Sequence, residues 1–294
     1  MAARWLKVLA AAPLMLSVLA AAPAKALVPY VVMPSERSLE GAGLGIAQAA
    51  ARLLRIGQAD DAARLAALTV QLIPNDPRGW VLLAEAQLRS NQDKEAAISL
   101  ARARELDPKN AGILFAQGSL ALKDSRPSEA VELIRQGLKL DGKNPGAYFD
   151  LGNAYILQGK AGDALGAFER ASALRGDFWE AINNQALVLY EQQKDGEAIK
   201  RWRRVLGIKA AAEPSLAIAA AVNVLKPGNT ESLELAAKAL AAEPNYVLDS
   251  WQKEQLWGPR LRSAAAKLLQ EPALRADVER AQANAGGHND LGDE

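Results

Sequence analysis

Large and small apolar positions recur along the chain at a fixed interval of 34 residues. One column holds only small residues: Ala62, Ala96, Ala130, Ala164, Ala198, Ser232 and Ala266. A second, twelve positions earlier, is equally small: Ala50, Ala84, Gly118, Gly152, Ala186 and Ala220. Four positions before that run the large residues Ile46, Trp80, Leu114, Tyr148, Ile182 and Leu216. Residues four apart share one face of a helix, so each large–small pair marks a packing stripe. Small residues on two such stripes let antiparallel helices approach closely. Pro74, Pro108, Gly142, Gly176 and Pro244 punctuate the periods, where Pro or Gly ends the second helix of each pair. The spacing predicts helix–turn–helix units starting at Gly43, Pro77, Ala111, Pro145, Trp179 and Glu213, a solenoid over 43–246 with no insertion.

Beyond it the period weakens. Residues 248–257 can form one helix, Pro259 starts a second and Pro272 opens a third. Ala266 keeps the small column, but Glu254 stands on the other. A last unit that has lost its small contact reads as a helical cap, here 247–285, whose outer face meets water. Trp251 and Trp257 are expected to cover the end of the core. Pro29, Pro34 and Gly41 predict an extended arm over 27–42, and the Gly- and Asp-rich stretch 286–294 a disordered tail.

The repeat resembles the tetratricopeptide repeat. The unit 145–176 carries Tyr148, Leu151-Gly152, Tyr155, Ala164, Phe168 and Ala171 at that family's signature positions. The resemblance covers about 200 residues, and it weakens in the sixth unit, where Pro227-Gly228 enters the turn and Ser232 replaces Ala. It implies an all-α, right-handed α-solenoid of about six tandem units plus a helical C-terminal cap. Three segments are similar to exported tetratricopeptide proteins of cyanobacteria: Ala47-Gln48-Ala49-Ala50-Ala51-Arg52-Leu53-Leu54, Trp179-Glu180-Ala181-Ile182-Asn183-Asn184-Gln185 and Gln252-Lys253-Glu254-Gln255-Leu256-Trp257-Gly258.

The N-terminus changes the picture by adding export. Arg4 and Lys7 precede an apolar run over 8–22, followed by Ala24-Lys25-Ala26, as in a secretory signal peptide cleaved after Ala26. The run is short beside the roughly 20 residues a spanning helix needs, so cleavage is expected rather than retention as an anchor. No Arg-Arg pair precedes it, which favours the Sec route into periplasm or thylakoid lumen. Removing Arg4, Lys7 and Lys25 leaves 32 basic against 34 acidic residues. Such balance gives no electrostatic case for nucleic acid. The chain has no Cys and one His, His288, so neither a thiolate site, a cysteine nucleophile nor a Ser–His pair is available. The expectation is a protein that is not an enzyme and needs no cofactor.

In the solenoid the resemblance implies, the first helix of each pair lines a concave groove. Side chains three and four apart then face a ligand. The candidate peptide-binding residues are Phe115, Ser119, Phe149, Asn153, Asn183, Asn184, Leu187 and Tyr190, flanked by the apolar Leu122 and Ile156. Carboxamides match the N–H and C=O of an extended backbone, and aromatic rings supply apolar area. The apolar positions Leu54, Leu88, Leu122, Ile156, Tyr190 and Val224 share a register and read equally as helix packing.

Members of the family that grip chaperone tails use a carboxylate clamp of Lys, Asn and Arg. Asn153 and Asn184 fall on its Asn positions, but Phe149, Pro214 and Ile218 replace its cations. Carboxylate-tail binding is therefore not expected. Arg201, Arg203 and Arg204 around Trp202 read as a solvated helix face. Arg175-Gly176-Asp177 reads as a turn, and Asp60-Asp61 as helix-start carboxylates. The expected role is an exported protein–protein interaction scaffold that binds an extended peptide or protein partner, in assembly of membrane complexes. The alternative is a structural, oligomerising subunit of an envelope or thylakoid complex.

Overall fold

The computed structural model describes residues 34–286, so the expected signal peptide and most of the expected tail lie outside the described residues. Among those described there are fifteen α-helices, two short 3-10 helices and no strand. Twelve helices form six antiparallel pairs: α1 (Glu36–Arg55) with α2 (Ala59–Leu72), α3 (Pro77–Arg89) with α4 (Asp93–Leu106), α5 (Ala111–Lys123) with α6 (Pro127–Leu140), α7 (Pro145–Leu157) with α8 (Ala161–Leu174), α9 (Trp179–Glu191) with α10 (Asp195–Ile208), and α11 (Ala212–Leu225) with α12 (Thr230–Ala242). Each pair packs on the next, giving an all-α solenoid.

The two small columns explain the close approach within pairs. Ala62, Ala96, Ala130, Ala164, Ala198 and Ser232 are fully buried, as are Ala50, Ala84, Ala186 and Ala220. Gly118 and Gly152 complete the second column, with no room for a methyl: a Cβ on Gly118 would lie 2.5 Å from Ile134 Cγ1. Asp76, Asn110 and Asn144 cap α3, α5 and α7 by accepting backbone N–H groups of the first turn. Between the helices of each of the first five pairs one residue takes the left-handed conformation, at Gly57, Asn91, Ser125, Gly159 and Gln193, again 34 apart. The N–H of the next residue then reaches back five positions, as from Arg126 to the Ala121 carbonyl at 2.7 Å.

Three expectations need correction. Helix α1 begins at Glu36, so 36–42 is not part of an extended arm: Ser35 accepts the Ser38 N–H, and Glu36 favours the helix N-terminus. The helix expected over 248–257 is only α13 (Asp249–Glu254), because Leu256 adopts φ +64° and breaks it. Ala266 belongs to α14 (Pro259–Leu268) but is exposed, while Ala264 and Ala265 are buried. Helix α14 has left the stacking register, and it packs on α11 and α9. The final helix α15 (Arg275–Asn284) and the 3-10 turn Pro244–Val247 cover α12 instead.

Candidate peptide-binding groove

First helices of neighbouring pairs touch, α1 with α3 and α5 with α7, whereas no two second helices do so to that extent. The first helices thus line the inner side of the curve. Into this side, at the fifth and sixth pairs, the chain folds its own C-terminal segment. Asp195 holds the Arg260 guanidinium through two bonds of 2.6 and 2.7 Å, and that guanidinium lies 4.0 Å from the Tyr190 ring centroid. The Glu191 carboxylate accepts the backbone N–H groups of Arg260 and Leu261, at 3.1 and 2.9 Å. Helix α14 starts on a glycine with no side chain to cap it, so Glu191 caps it from another helix. Gly258 is required there, since a Cβ would stand 2.2 Å from Glu191 Cδ.

This return separates the eight candidate residues. Tyr190 is 1% exposed, stacked on Trp202 with ring centroids 5.8 Å apart. Asn183 and Leu187 are also buried. Tyr190 therefore does not stand open along the groove, whereas Asn183 and Leu187, though buried, border the cavities that remain. Phe115 is half-buried against Gly137 of α6, where a Cβ would meet its ring at 2.5 Å. Ser119 donates to Asp150, whose carboxyl is pushed up by burial, with the Ser119 bond opposing. Neither Phe115 nor Ser119 lines the cavities beside Asn184. Phe149 packs on Phe168 and Phe178, at 5.8 and 5.1 Å between centroids, and keeps one edge on a cavity.

What remains open is a cleft of about 270 Å³ between the first helices and the α13–α14 linker, lined by Phe149, Asn153, Asn183 and Asn184. A smaller apolar cavity of about 100 Å³ lies beside it, lined by Ile156, Phe168, Leu187 and Val188. Leu256 and Asn184 border both. Across the larger cleft runs a carboxamide chain. Asn183 Nδ2 donates to Asn184 Oδ1 at 3.3 Å, and Asn184 Nδ2 donates to Asn153 Oδ1 at 3.1 Å. Its buried end meets Glu213, which accepts Trp257 Nε1–H at 3.0 Å and also bonds Asn183 and Tyr246. Burial pushes the Glu213 carboxyl up, and those three hydrogen bonds pull the other way. The Tyr246 hydroxyl is pushed up by burial and by the Glu213 and Glu243 carboxylates.

The position-by-position reading missed Trp179, Glu180, Glu213, Glu254, Gln255 and Leu256 as lining residues. Glu180 shares the facing stripe, three positions before Asn183, whereas Trp179 and Glu213 open their units beside it. The other three belong to the segment expected to stack at the end. Trp257 is buried as expected, but over Glu213 on the inner side rather than over the last helix. The arginines around Trp202 are tied to neighbouring units: Arg201 to Gln185 and Glu169, Arg203 to Glu231, and Arg204 to the Gly176 carbonyl. Trp202 itself is fully buried.

Paired helices, small-residue columns and an inner groove define a helical repeat scaffold. The tetratricopeptide repeat model matches residues 115–173 and 149–208, the central units of the solenoid. No curated protein matches the sequence. Among solved structures, PilW, described as a widely conserved type IV pilus biogenesis factor, aligns with TM-score 0.60 and 18% identity, over 76% of this chain and 97% of that one. PilF of Pseudomonas aeruginosa aligns with TM-score 0.56 and 16% identity, over 84% and 99%. MamA of Desulfovibrio magneticus aligns with TM-score 0.53 and 17% identity, over 59% and 97%. At such identities the likeness is one of fold. Among the described residues no helix is long and apolar enough to cross a membrane.

Proposed function

We propose that the chain is a non-catalytic interaction scaffold that binds an extended peptide segment of a protein partner in the cleft beside Asn153 and Asn184. The observation that carries this reading is the carboxamide chain at the cleft. Because Asn184 donates to Asn153 Oδ1, the Asn153 amide N–H groups are left to meet a partner's carbonyl. Tetratricopeptide repeats in general mediate protein–protein contacts, which supports the class of role. The N-terminal pattern supports export by a Sec-type signal, and the similarity of three segments to exported cyanobacterial tetratricopeptide proteins supports the periplasm or thylakoid lumen and a part in assembling membrane complexes.

Peptides selected from a random display library against the full chain test the reading. Changing Asn153→Ala together with Asn184→Ala removes two hydrogen-bonding side chains, each contributing about 1 kcal/mol. Affinity for the selected peptides should fall by about 10- to 30-fold in fluorescence anisotropy. Selected peptides that bind the double variant as well as the parent would place the binding surface elsewhere.

A further inference from the structure

We propose that the apolar cavity of about 100 Å³ beside the cleft is a specificity pocket for one aliphatic side chain of that extended peptide, with Leu256 as its outer wall. This deepens the peptide-binding reading and rests on it. The walls define the chemistry. Leu187 and Val188 of α9 form a buried floor, and Ile156, Ala161 and Leu256 stand half-buried around it, with apolar surface left for a ligand. No Lys or Arg lines the cavity, and its one carboxylate is engaged, since Glu191 already accepts the Arg260 and Leu261 N–H groups. A void so lined offers a ligand dispersion contacts rather than hydrogen bonds. It is smaller than the roughly 150 Å³ apolar cavity that admits a benzene ring, so a leucine or valine side chain fits and a phenylalanine does not. Asn184 and Leu256 wall both this cavity and the cleft, so a peptide chain hydrogen-bonded at Asn153 runs past the mouth of the pocket.

A second observation comes from the backbone of Leu256. Among the described residues the left-handed conformation falls to Gly, Asn, Ser or Gln at every position but this one. A bulky side chain there carries a steric penalty that glycine escapes. The turn itself needs no leucine. Its closing hydrogen bonds run from the Leu256 N–H to the Lys253 carbonyl and from the Trp257 N–H to the Gln252 carbonyl, both at 3.0 Å, and use backbone alone. What the leucine side chain adds is the partition between the two cavities. Glycine would merge them into one trough with no apolar wall on that side. A residue that breaks a local rule beside a cavity of side-chain size marks a functional position.

The test uses the full chain and short fluorescein-labelled Ala/Ser peptides whose central residue is leucine, alanine or phenylalanine, with N-acetyl-leucinamide as a competitor. The leucine peptide should bind about 10- to 50-fold tighter than the alanine one, through burial of its isobutyl group, and at least about tenfold tighter than the phenylalanine one. Leu256→Gly should cut the preference for leucine over alanine to within about threefold. Its thermal midpoint should stay at the parent's, because relief of the left-handed strain offsets the greater freedom of the unfolded chain. Ala161→Leu, which fills the pocket from its own wall, should remove the preference as well. Equal binding of the leucine and alanine peptides by the parent, or a preference that survives Ala161→Leu, overturns the pocket and leaves peptide binding standing. A lowered midpoint in Leu256→Gly with the preference intact shows that Leu256 packs the fold and does not wall the pocket. Tighter binding of the phenylalanine peptide overturns the aliphatic assignment. Failure of all three peptides to bind overturns both readings. N-acetyl-leucinamide competing as well as the leucine peptide shows that the peptide backbone contributes nothing, and overturns the peptide assignment.

Discussion

Trp257→Ala should destabilise the C-terminal half by about 3–5 kcal/mol, the cost usual for emptying a buried tryptophan site. Trp257 is 3% exposed, and its ring stacks on Tyr246 with centroids 5.6 Å apart. The substitution also deprives the Glu213 carboxyl of its indole N–H donor. The donor lost from this buried carboxyl adds to the cavity penalty rather than replacing it. Repeat arrays can lose their ends before their middle, so the loss should appear as an early, separate unfolding step in guanidinium. A single transition at the parent midpoint would show that the return segment contributes little to folding.

Gly152→Ala should cost about 1–3 kcal/mol, although Ala is ordinarily the better helix former. The added methyl would stand 2.4 Å from Phe168 Cε1 and 2.6 Å from Cδ1. Phe168 is fully buried and packs on Phe149, so its ring has no space to swing away. Gly166 in the same unit is the control: a Cβ there meets nothing within 4 Å, and Ala should stabilise by about 0.5–1 kcal/mol. Thermal melts of the two variants should therefore move in opposite directions. Equal shifts would mean that the small columns do not set the approach of the paired helices.

The stacked units were legible because their constraint repeats. Every unit must bring two helices together at the same two places, and the small residues there recur at 34-residue spacing. The left-handed turn residues recur at that spacing too, yet Gly, Asn, Ser and Gln fill the position, so composition hid the column. The return of α14 into the groove has no such signature. Arg260 and Asp195 lie 65 positions apart, and Leu261 and Glu191 lie 70 apart. A single long-range pairing leaves no period to find. Ala266 shows the consequence, since it keeps the register of the small column and yet faces solvent. The carboxamides Asn153 and Asn184 were legible as groove residues because the repeat sets the first helices α7 and α9 side by side, with the two positions 31 apart. Tyr190 keeps the facing register and is covered by Arg260, from a segment whose approach that register does not encode.

The inner side of the solenoid is filled by its own C-terminal segment at the fifth and sixth pairs and open at the carboxamide cleft. Hydrogen–deuterium exchange of the full chain, read at single amides, tests this most directly. Glu191 accepts the Arg260 and Leu261 N–H groups, and Leu261, Ala265 and Leu268 are fully buried. The amides of Arg260, Leu261 and the α14 interior should therefore exchange as slowly as those of α11. Exchange at Arg260 and Leu261 as fast as at an exposed loop, with α11 still protected, would contradict the docked segment.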